Sequence, residues 1–245
     1  METQAREMNM ERALKDYEED GVVRIRQFLS AAELQEVRCE IEKYVRTTVP
    51  KLEASEVTFE IDGQTARNLW RMEKHGPFFD ELAKRPAILD FVWSLVHGEP
   101  IHMGSETFNK PAHIGSGVPP HQDNAYFCQS PPDVMTIWIA MDPVTGSNGP
   151  VFYERGSHKL GLLPHKPSGV KGNSIGLAQP FEFAKPLVGL LEPGDALVHH
   201  CQTIHYSEPN RTALSRCGFL MVYRGAHTRT DSALKVVYDA ARALV

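Results

Sequence analysis

Histidine and carboxylate side chains that could hold a metal ion occur at short spacing in this chain. Two segments have the pattern His-x-Asp/Glu, namely His97-Gly98-Glu99 and His121-Gln122-Asp123. With 11 His and 31 Asp+Glu in 245 residues, chance alone gives about 1.4 such pairs, so the pattern by itself indicates little. The second pair follows Pro119-Pro120, and residues i and i+2 of an extended segment project to the same side. His121 and Asp123 are therefore candidates to bind one ion.

A third ligand is available farther along the chain. A turn at Glu192 to Asp195 and the apolar run Ala196 to Val198 are followed by His199, His200 and His205. Two histidines and one carboxylate leave three coordination positions open, which is the facial triad of non-haem Fe(II) oxygenases. A structural zinc site would instead prefer four protein ligands, thiolates among them. The residues predict an iron site with room for a chelating co-substrate and O2, and they leave open which histidine completes it.

Such a site also needs a fixed cation for the far carboxylate of its co-substrate. Arginine suits this task, because its planar fork donates two hydrogen bonds to a carboxylate and it stays protonated. Arg216 opens the strand RCGFLMVYR after the His205 turn, whereas Arg211 lies in a turn and Arg224 at the far strand end. Arg216 is therefore the favoured candidate, and a surface ion pair is the alternative for each of the three.

The elements that must position these residues are helices in the first part of the chain and strands in the second. Ser30 with Glu33 predicts a capping box at the start of a helix. After Pro100, short β-branched and aromatic runs alternate with Gly/Pro turns, which indicates a sandwich or barrel. We expect one domain over residues 1–245, with a helical part at about 1–99, a β core at about 100–225 and a C-terminal helix at about 230–245. Further expected elements are a strand at Val22 to Phe28 and long loops at Pro111 to Pro120 and Gly161 to Pro180.

Composition excludes several classes of protein. A net charge of −5 and a pI near 6.1 do not fit a nucleic-acid binder, and no run of Lys/Arg suggests a membrane surface. The longest nearly apolar stretch, Ala87 to Val96, is too short to span a bilayer. The four cysteines form no CxxC pair, which favours free thiols in a cytoplasmic protein. A small-molecule substrate is the expected partner, with no nucleic acid and no membrane, and the oligomeric state is left open.

Three ordered motifs resemble the phytanoyl-CoA dioxygenase family, over about Leu14 to Tyr223. His121-Gln122-Asp123 with Tyr126-Phe127 is similar to the family's HxD segment. Gly156-Ser157-His158, after Asn148-Gly149-Pro150, resembles its "NG…PGSH" stretch. The run from Pro193-Gly194-Asp195 to Arg216 resembles "GD…H…HxSxxN…R". In that family 11 residues separate the distal iron-binding histidine from the arginine for 2-oxoglutarate, and this spacing selects His205 and Arg216.

The resemblance implies a fold, cofactors and further site residues. The fold is mainly β with flanking helices, around a double-stranded β-helix (jelly-roll, cupin-like) core. Fe(II), 2-oxoglutarate and O2 are the implied cofactors, with His121, Asp123 and His205 on the metal. Beside Arg216, the implied 2-oxoglutarate contacts are Ser207, Trp138 and Thr136. His200 is implied to be a neighbour of the metal ligands. The candidate substrate contacts are Tyr126, Tyr153 and Arg155. Arg155 stands at a position where relatives commonly have Pro.

The implied reaction is hydroxylation of an unactivated C–H bond of a small metabolite, with release of succinate and CO2. Desaturation or ring closure would use the same residues, and the motifs do not distinguish acyl-CoA, amino-acid, phosphonate or natural-product substrates. The lack of a basic patch for CoA phosphates favours a small polar metabolite. The alternative is a cupin-like metal-binding protein without oxygenase activity, either a metallo-isomerase or hydrolase or an inactive sensor.

Overall fold

The computed structural model describes residues 2–170 and 172–243, with side chains from residue 10 onward. The last two residues of the expected C-terminal helix lie outside this range. Helices occupy the first part of the chain and its C-terminal end, with one short helix inside the β-rich part. Their bounds are Glu2–Asp20 (α1), Ala31–Thr47 (α2), Pro77–Ala83 (α3), Pro86–Trp93 (α4), Asn124–Phe127 (α5) and Ser232–Arg242 (α6).

Strands dominate the chain from residue 100 onward. Their bounds are Val22–Ile25 (β1), Val57–Phe59 (β2), Ala66–Leu69 (β3), Pro100–Lys110 (β4), Val118–His121 (β5), Gln129–Ser130 (β6), Val134–Ala140 (β7), Val151–Glu154 (β8), His165–Val170 (β9), Asn173–Leu177 (β10), Pro186–Val188 (β11), Ala196–His200 (β12), His205–Ser207 (β13), Arg216–Gly225 (β14) and Arg229–Thr230 (β15).

Two antiparallel sheets form the β core. The larger has seven strands in the order β1-β12-β7-β14-β4-β3-β2, and the smaller has four in the order β11-β8-β13-β5. One face of β7 carries Trp138 and Ala140, which pack with residues of β8 in the small sheet. The inner faces of the two sheets therefore meet, and the predicted jelly-roll class is confirmed.

The other face of the large sheet is covered by the helices. Ile137 and Ile139 of β7 point to that side and share a core with Val37 of α2 and Phe79 of α3. Side chains alternate between the two faces of a strand, so β7 is buried on both sides and all seven of its residues are inaccessible. The helical layer thus packs against the strand that carries two of the candidate site residues, Thr136 and Trp138.

Helix α2 begins as its sequence predicts. The Ser30 side chain accepts a hydrogen bond from the Glu33 backbone N–H, and the Glu33 carboxylate accepts one from the Ser30 backbone N–H. Both bonds satisfy donors that a helix N-terminus leaves without an internal partner. The buried residues of α2, Leu34, Val37 and Tyr44, pack in the core on the large sheet.

Two segments differ from their predicted structure. The strand at Val22 to Phe28 ends at Ile25, because Gln27 adopts a left-handed backbone (φ 49°) and its N–H donates to Asp195. The predicted loop at Gly161 to Pro180 contains the antiparallel pair β9 and β10. Pro167 and Gly169 lie inside β9, and Gly176 lies inside β10, so composition alone misled the prediction.

None of the helices among the described residues is both long enough and apolar enough to cross a membrane. The four cysteines are free thiols, as predicted, with Cys128 and Cys201 buried.

Candidate metal and co-substrate site

Strand pairing between β5 and β13 brings the two predicted metal-binding histidines together. His121 and His205 are direct cross-strand partners, and their ring centroids lie 4.2 Å apart. Asp123 follows β5 immediately before α5 and aims Oδ1 at both rings, 3.5 Å from each Nε2 atom. Two ligands at right angles on an ion, each at about 2.1 Å, would be about 3 Å apart. The three groups are therefore spaced as ligands of one metal ion require.

In each imidazole, a hydrogen bond at Nδ1 orients the ring so that Nε2 faces the site. His121 Nδ1 lies 2.8 Å from the Pro119 carbonyl oxygen, and His205 Nδ1 lies 2.9 Å from that of Thr203. A carbonyl accepts only from N–H, so both rings carry a proton on Nδ1 and direct Nε2 to the site. Burial lowers the pKa of His205 to about 3, which keeps this imidazole neutral. Neutral imidazoles are the form that binds metals.

The second oxygen of Asp123 is held by two side chains of the large sheet. Oδ2 lies 3.0 Å from His199 Nε2 and 3.1 Å from the Thr136 hydroxyl. Burial alone would raise the pKa of Asp123, but the imidazoles of His205, His121 and His199 outweigh burial and hold it well below its usual range. Asp123 is therefore a carboxylate with one oxygen anchored and the other directed to the histidines.

These residues fit an Fe(II) ion. Among the described residues they form the one group of three or more metal-binding side chains with mutually close ligand atoms, all within 4.8 Å. Two neutral nitrogens and one carboxylate oxygen, with no thiolate, suit iron rather than structural zinc. His121, Asp123 and His205 could hold the ion and would leave the opposite positions open.

Gln122, between the two ligands, anchors the segment that carries them. Its amide group donates to the carbonyls of Gly161 and Gln202 and accepts from the N–H of Leu163. The side chain is fully buried, so each of these bonds would be costly to lose. Gln122 thereby ties the β5 end to the loops before β9 and β13.

Arg216 lies on the wall of a cavity of about 570 Å³ that the three candidate ligands also line. Its guanidinium donates to the Gly149 carbonyl at 2.6 and 3.1 Å and stacks 4.9 Å above the Trp138 ring. No carboxylate of the described chain forms an ion pair with it, although the residue is only 2% exposed. Burial lowers the pKa of Arg216 to about 10, so it remains a cation at neutral pH.

Other predicted co-substrate contacts line the same cavity. Trp138 and Ser207 both face it, and Gly218 leaves room for the indole, since a Cβ there would lie 2.1 Å from Trp138 Cζ2. Tyr153, predicted as a substrate contact, also lines this cavity and stacks on the His205 ring with centroids 5.2 Å apart. Its buried hydroxyl has no hydrogen-bond partner among the described residues. This cavity thus contains a cation and hydroxyl groups that could receive a carboxylate.

A second, larger cavity of about 1590 Å³ adjoins the first. Four residues line both, and they include two of the candidate ligands: Phe108, His121, Asp123 and Leu220. Thr136 and Tyr126 line only the larger one. The Tyr126 hydroxyl donates to the Ile175 carbonyl at 2.6 Å and so connects α5 to β10. Thr136, predicted beside 2-oxoglutarate, donates a hydrogen bond to Asp123.

Two predicted site residues lie elsewhere. Arg155 pairs with Asp20 at 2.7 Å near the surface and lines neither of the two cavities. His200 points to the opposite face of β12 from its neighbour His199 and lies beside the ring of His158, with centroids 5.4 Å apart. Adjacent residues of a strand face opposite sides, so only one of the two can approach Asp123. The rivals of Arg216 are also remote, since Arg211 is exposed and Arg224 bonds to Thr228.

Sequence reasoning missed Glu106 and left Lys110 without a role. Glu106 lines the larger cavity, and Lys110 lines the smaller one. Lys110 donates to the carbonyls of Ser116 and Glu208, and burial, with Arg216 nearby, lowers its pKa to about 6. An available signal was the alternation along β4, which puts positions 104, 106, 108 and 110 on one face.

The model of the phytanoyl-CoA dioxygenase (PhyH) family matches residues 17–218. A probable phytanoyl-CoA dioxygenase of Caenorhabditis elegans is 31% identical over 217 residues, which are 80% of this chain and 69% of the relative. L-proline trans-4-hydroxylase of Streptomyces griseoviridis is 28% identical over 229 residues, which are 84% of this chain and 83% of that enzyme.

Among solved structures, the apo form of the non-heme monooxygenase ThoJ superposes with a TM-score of 0.74 at 26% identity. The superposition covers 89% of this chain and 79% of ThoJ. The family model spans most of the chain, including His121, Asp123, His205 and Arg216. The chain therefore belongs to the phytanoyl-CoA dioxygenase family.

Proposed function

We propose that this chain is an Fe(II)- and 2-oxoglutarate-dependent dioxygenase that hydroxylates an unactivated C–H bond of a small metabolite and releases succinate and CO2. The observation that carries the proposal is Arg216, a buried cation that lacks an acidic partner in the described chain and shares a cavity with the metal-binding group. Burying an unpaired charge costs on the order of several kcal/mol. A dicarboxylate that chelates the metal would supply the missing anion, whereas a metallohydrolase has no need of this cation.

Fe(II), together with 2-oxoglutarate and O2, supplies the oxidising chemistry when bound. His121, Asp123 and His205 would hold the ion, with Nδ1 of both imidazoles already bonded to a carbonyl and Nε2 directed to the site. Arg216 would bind the distal carboxylate of 2-oxoglutarate through its guanidinium fork. The free hydroxyl of Tyr153 is available as a further donor to that carboxylate.

The walls of the smaller cavity restrict access of water. They include apolar side chains from both sheets, among them Phe108, Val151 and Leu220. An apolar wall strengthens the interaction of Arg216 with an anion and protects a reactive centre from side reactions. The larger cavity would bind the substrate, because it borders Asp123 and His121 from the other side.

Succinate release without added substrate tests the proposal. Purified protein with Fe(II), ascorbate and 2-oxoglutarate is expected to release succinate slowly, and chelation of iron should stop the release. Arg216→Ala should reduce the rate at least tenfold, and Arg216→Lys should raise the KM for 2-oxoglutarate while preserving the fold. Arg211→Ala is the matched control, since Arg211 is exposed and remote from the cavity.

A metal-binding protein without oxygenase activity is the alternative. It would bind Zn(II) or Fe(II) through the same three residues and release no succinate under any of these conditions. Succinate release that is equal in Arg216→Ala and in the wild type would also contradict the proposal, because Arg216 would then not bind the co-substrate.

A further inference from the structure

Glu106 occupies an unusual position inside the β core. It lies in β4 directly opposite Leu220 of β14, which in turn pairs with Trp138 of β7. Cross-strand partners share a face of the sheet, so Glu106 faces the inner cavities together with these two apolar residues. The side chain is partly exposed to the larger cavity, which Asp123 also lines.

Other enclosed carboxylates have partners, and Glu106 has none among the described residues. Glu60 accepts hydrogen bonds from Ser116, Glu154 accepts from the Lys185 N–H, and Glu73 accepts from the Ser105 N–H. For Glu106 no hydrogen bond or ion pair is formed with any of the described residues. Enclosed polar groups are rarely left without a partner, and the exceptions cluster at functional sites.

The charge around Glu106 points to the kind of partner it lacks. Burial raises its pKa to about 8, and the negative charges of Asp123 and Glu73 add to this effect. Two arginines line the same cavity, but Arg71 pairs with Glu56 at 2.7 Å, and Arg242 is exposed on α6. Among the residues that the structure describes, none supplies a cation to this carboxylate.

We infer that Glu106 binds a cationic nitrogen of the substrate, so that the substrate class is a small metabolite with a protonated amine. This inference rests on the proposed function, since it assumes that the larger cavity holds the molecule that is oxidised. A substrate cation beside Glu106 would stabilise the ionised carboxylate. The same cation against an apolar part of the cavity wall would lose its hydration without gaining a partner. Glu106 is therefore a specificity-determining residue, and loss of its charge should weaken binding of amines without affecting 2-oxoglutarate.

Matched pairs of charged and uncharged compounds test the inference. The probes are L-proline, L-lysine and cadaverine, each beside its fully N-acetylated form, with hexanoyl-CoA as an anionic probe. The readouts are stimulation of succinate release above the basal rate and the gain of one oxygen atom by mass spectrometry. We expect at least one amine to stimulate release and to be oxidised, and its acetylated form to be inert.

Glu106→Gln should raise the KM for that amine at least tenfold, and Glu106→Asp should restore part of the loss. The KM for 2-oxoglutarate and the basal rate should stay within about twofold of wild type. Glu99→Gln, which removes an exposed carboxylate just before β4, is the charge-matched control. Retention of both basal values also shows that the variant is folded.

Several results would overturn the inference. These are equal stimulation by the acetylated compounds, stimulation by hexanoyl-CoA alone, an unchanged amine KM in Glu106→Gln, or basal release that no amine increases. Absence of basal release in the wild type is a different result, because it would reject the oxygenase proposal and the inference with it.

Discussion

At the scale of single residues, Asp123 connects the candidate metal site to the large sheet. One carboxylate oxygen faces His121 and His205, and the other is held by His199 and Thr136. A ligand whose second oxygen is anchored loses little freedom when the ion binds, so the anchors should contribute to metal affinity. His199 is thus expected to orient a ligand rather than to bind the ion.

Thr136→Val tests the contribution of one anchor. Valine has nearly the shape of threonine and removes only the hydroxyl that contacts Asp123. We expect Fe(II) affinity to fall by about 10- to 100-fold, as is usual when a group supporting a metal ligand is lost. Affinity is measured by titration of the metal-free protein. Thr107→Val in β4 makes the same change without a contact to Asp123 and should leave affinity unchanged; equal losses in both variants would contradict this role.

The raised pKa of Glu106 makes a prediction about stability and pH. In the unfolded chain Glu106 loses its proton near pH 4.5, but in the folded protein it does so near pH 8. Between these values folding takes up a proton, so the contribution of Glu106 to stability falls as pH rises and becomes constant above about pH 8. Glu106→Gln removes this dependence. The free energy of unfolding of the variant, relative to that of the wild type, should therefore increase as pH rises across that window.

Urea unfolding of the metal-free proteins at about pH 5.5, 7 and 8.5 measures this difference. Glu99→Gln should show no such trend, since its carboxylate is exposed. A difference between Glu106→Gln and wild type that is independent of pH would mean that Glu106 titrates normally in the folded protein.

The residue scale also shows where sequence reasoning stops. His-x-Asp identifies two ligands by local geometry, but His199, His200 and His205 lie within seven positions and are of one type. Residue spacing alone cannot decide among them, because the choice depends on the pairing of β13 with β5, which is distant in sequence. The family resemblance selected His205, and the structure brings that residue to His121 and Asp123.

At the scale of elements, local signals were the most dependable. The capping box at Ser30 and the short strands after Pro100 appear as predicted, because caps and alternation act over a few residues. The β9 and β10 hairpin was missed, since its packing against α6 and β5 is not visible in local composition. This hairpin borders the larger cavity through Asn173 and Ser174.

The start of α2 offers a test at this scale. Ser30→Ala removes the side-chain acceptor for the Glu33 N–H and should lower the free energy of unfolding by about 1 kcal/mol. Urea unfolding at neutral pH measures the change, which should leave metal binding intact because α2 packs on the face of the sheet away from the cavities. Ser30→Asp, which retains an acceptor, is the control, and an equal loss in both variants would contradict a capping role.

At the scale of the whole molecule, the two sheets enclose the site and the helices stiffen one of them. Composition and strand pattern were sufficient to predict a β core with flanking helices. They were not sufficient to show that Arg155 would pair with Asp20, because that contact joins residues 135 positions apart. Long-range strand pairing also determines which inward-facing residue borders which cavity. The position of Glu106 at the larger cavity could therefore be recognised only in the folded structure.

The most direct test of the account is a crystal structure of the chain with Mn(II) in place of Fe(II) and with 2-oxoglutarate, which together prevent turnover. We predict one anomalous peak at about 2.0–2.3 Å from the Nε2 atoms of His121 and His205 and from an Asp123 oxygen. The distal carboxylate of 2-oxoglutarate should lie within hydrogen-bond distance of Arg216. A metal bound by other residues, or 2-oxoglutarate with its distal carboxylate away from Arg216, would contradict the account.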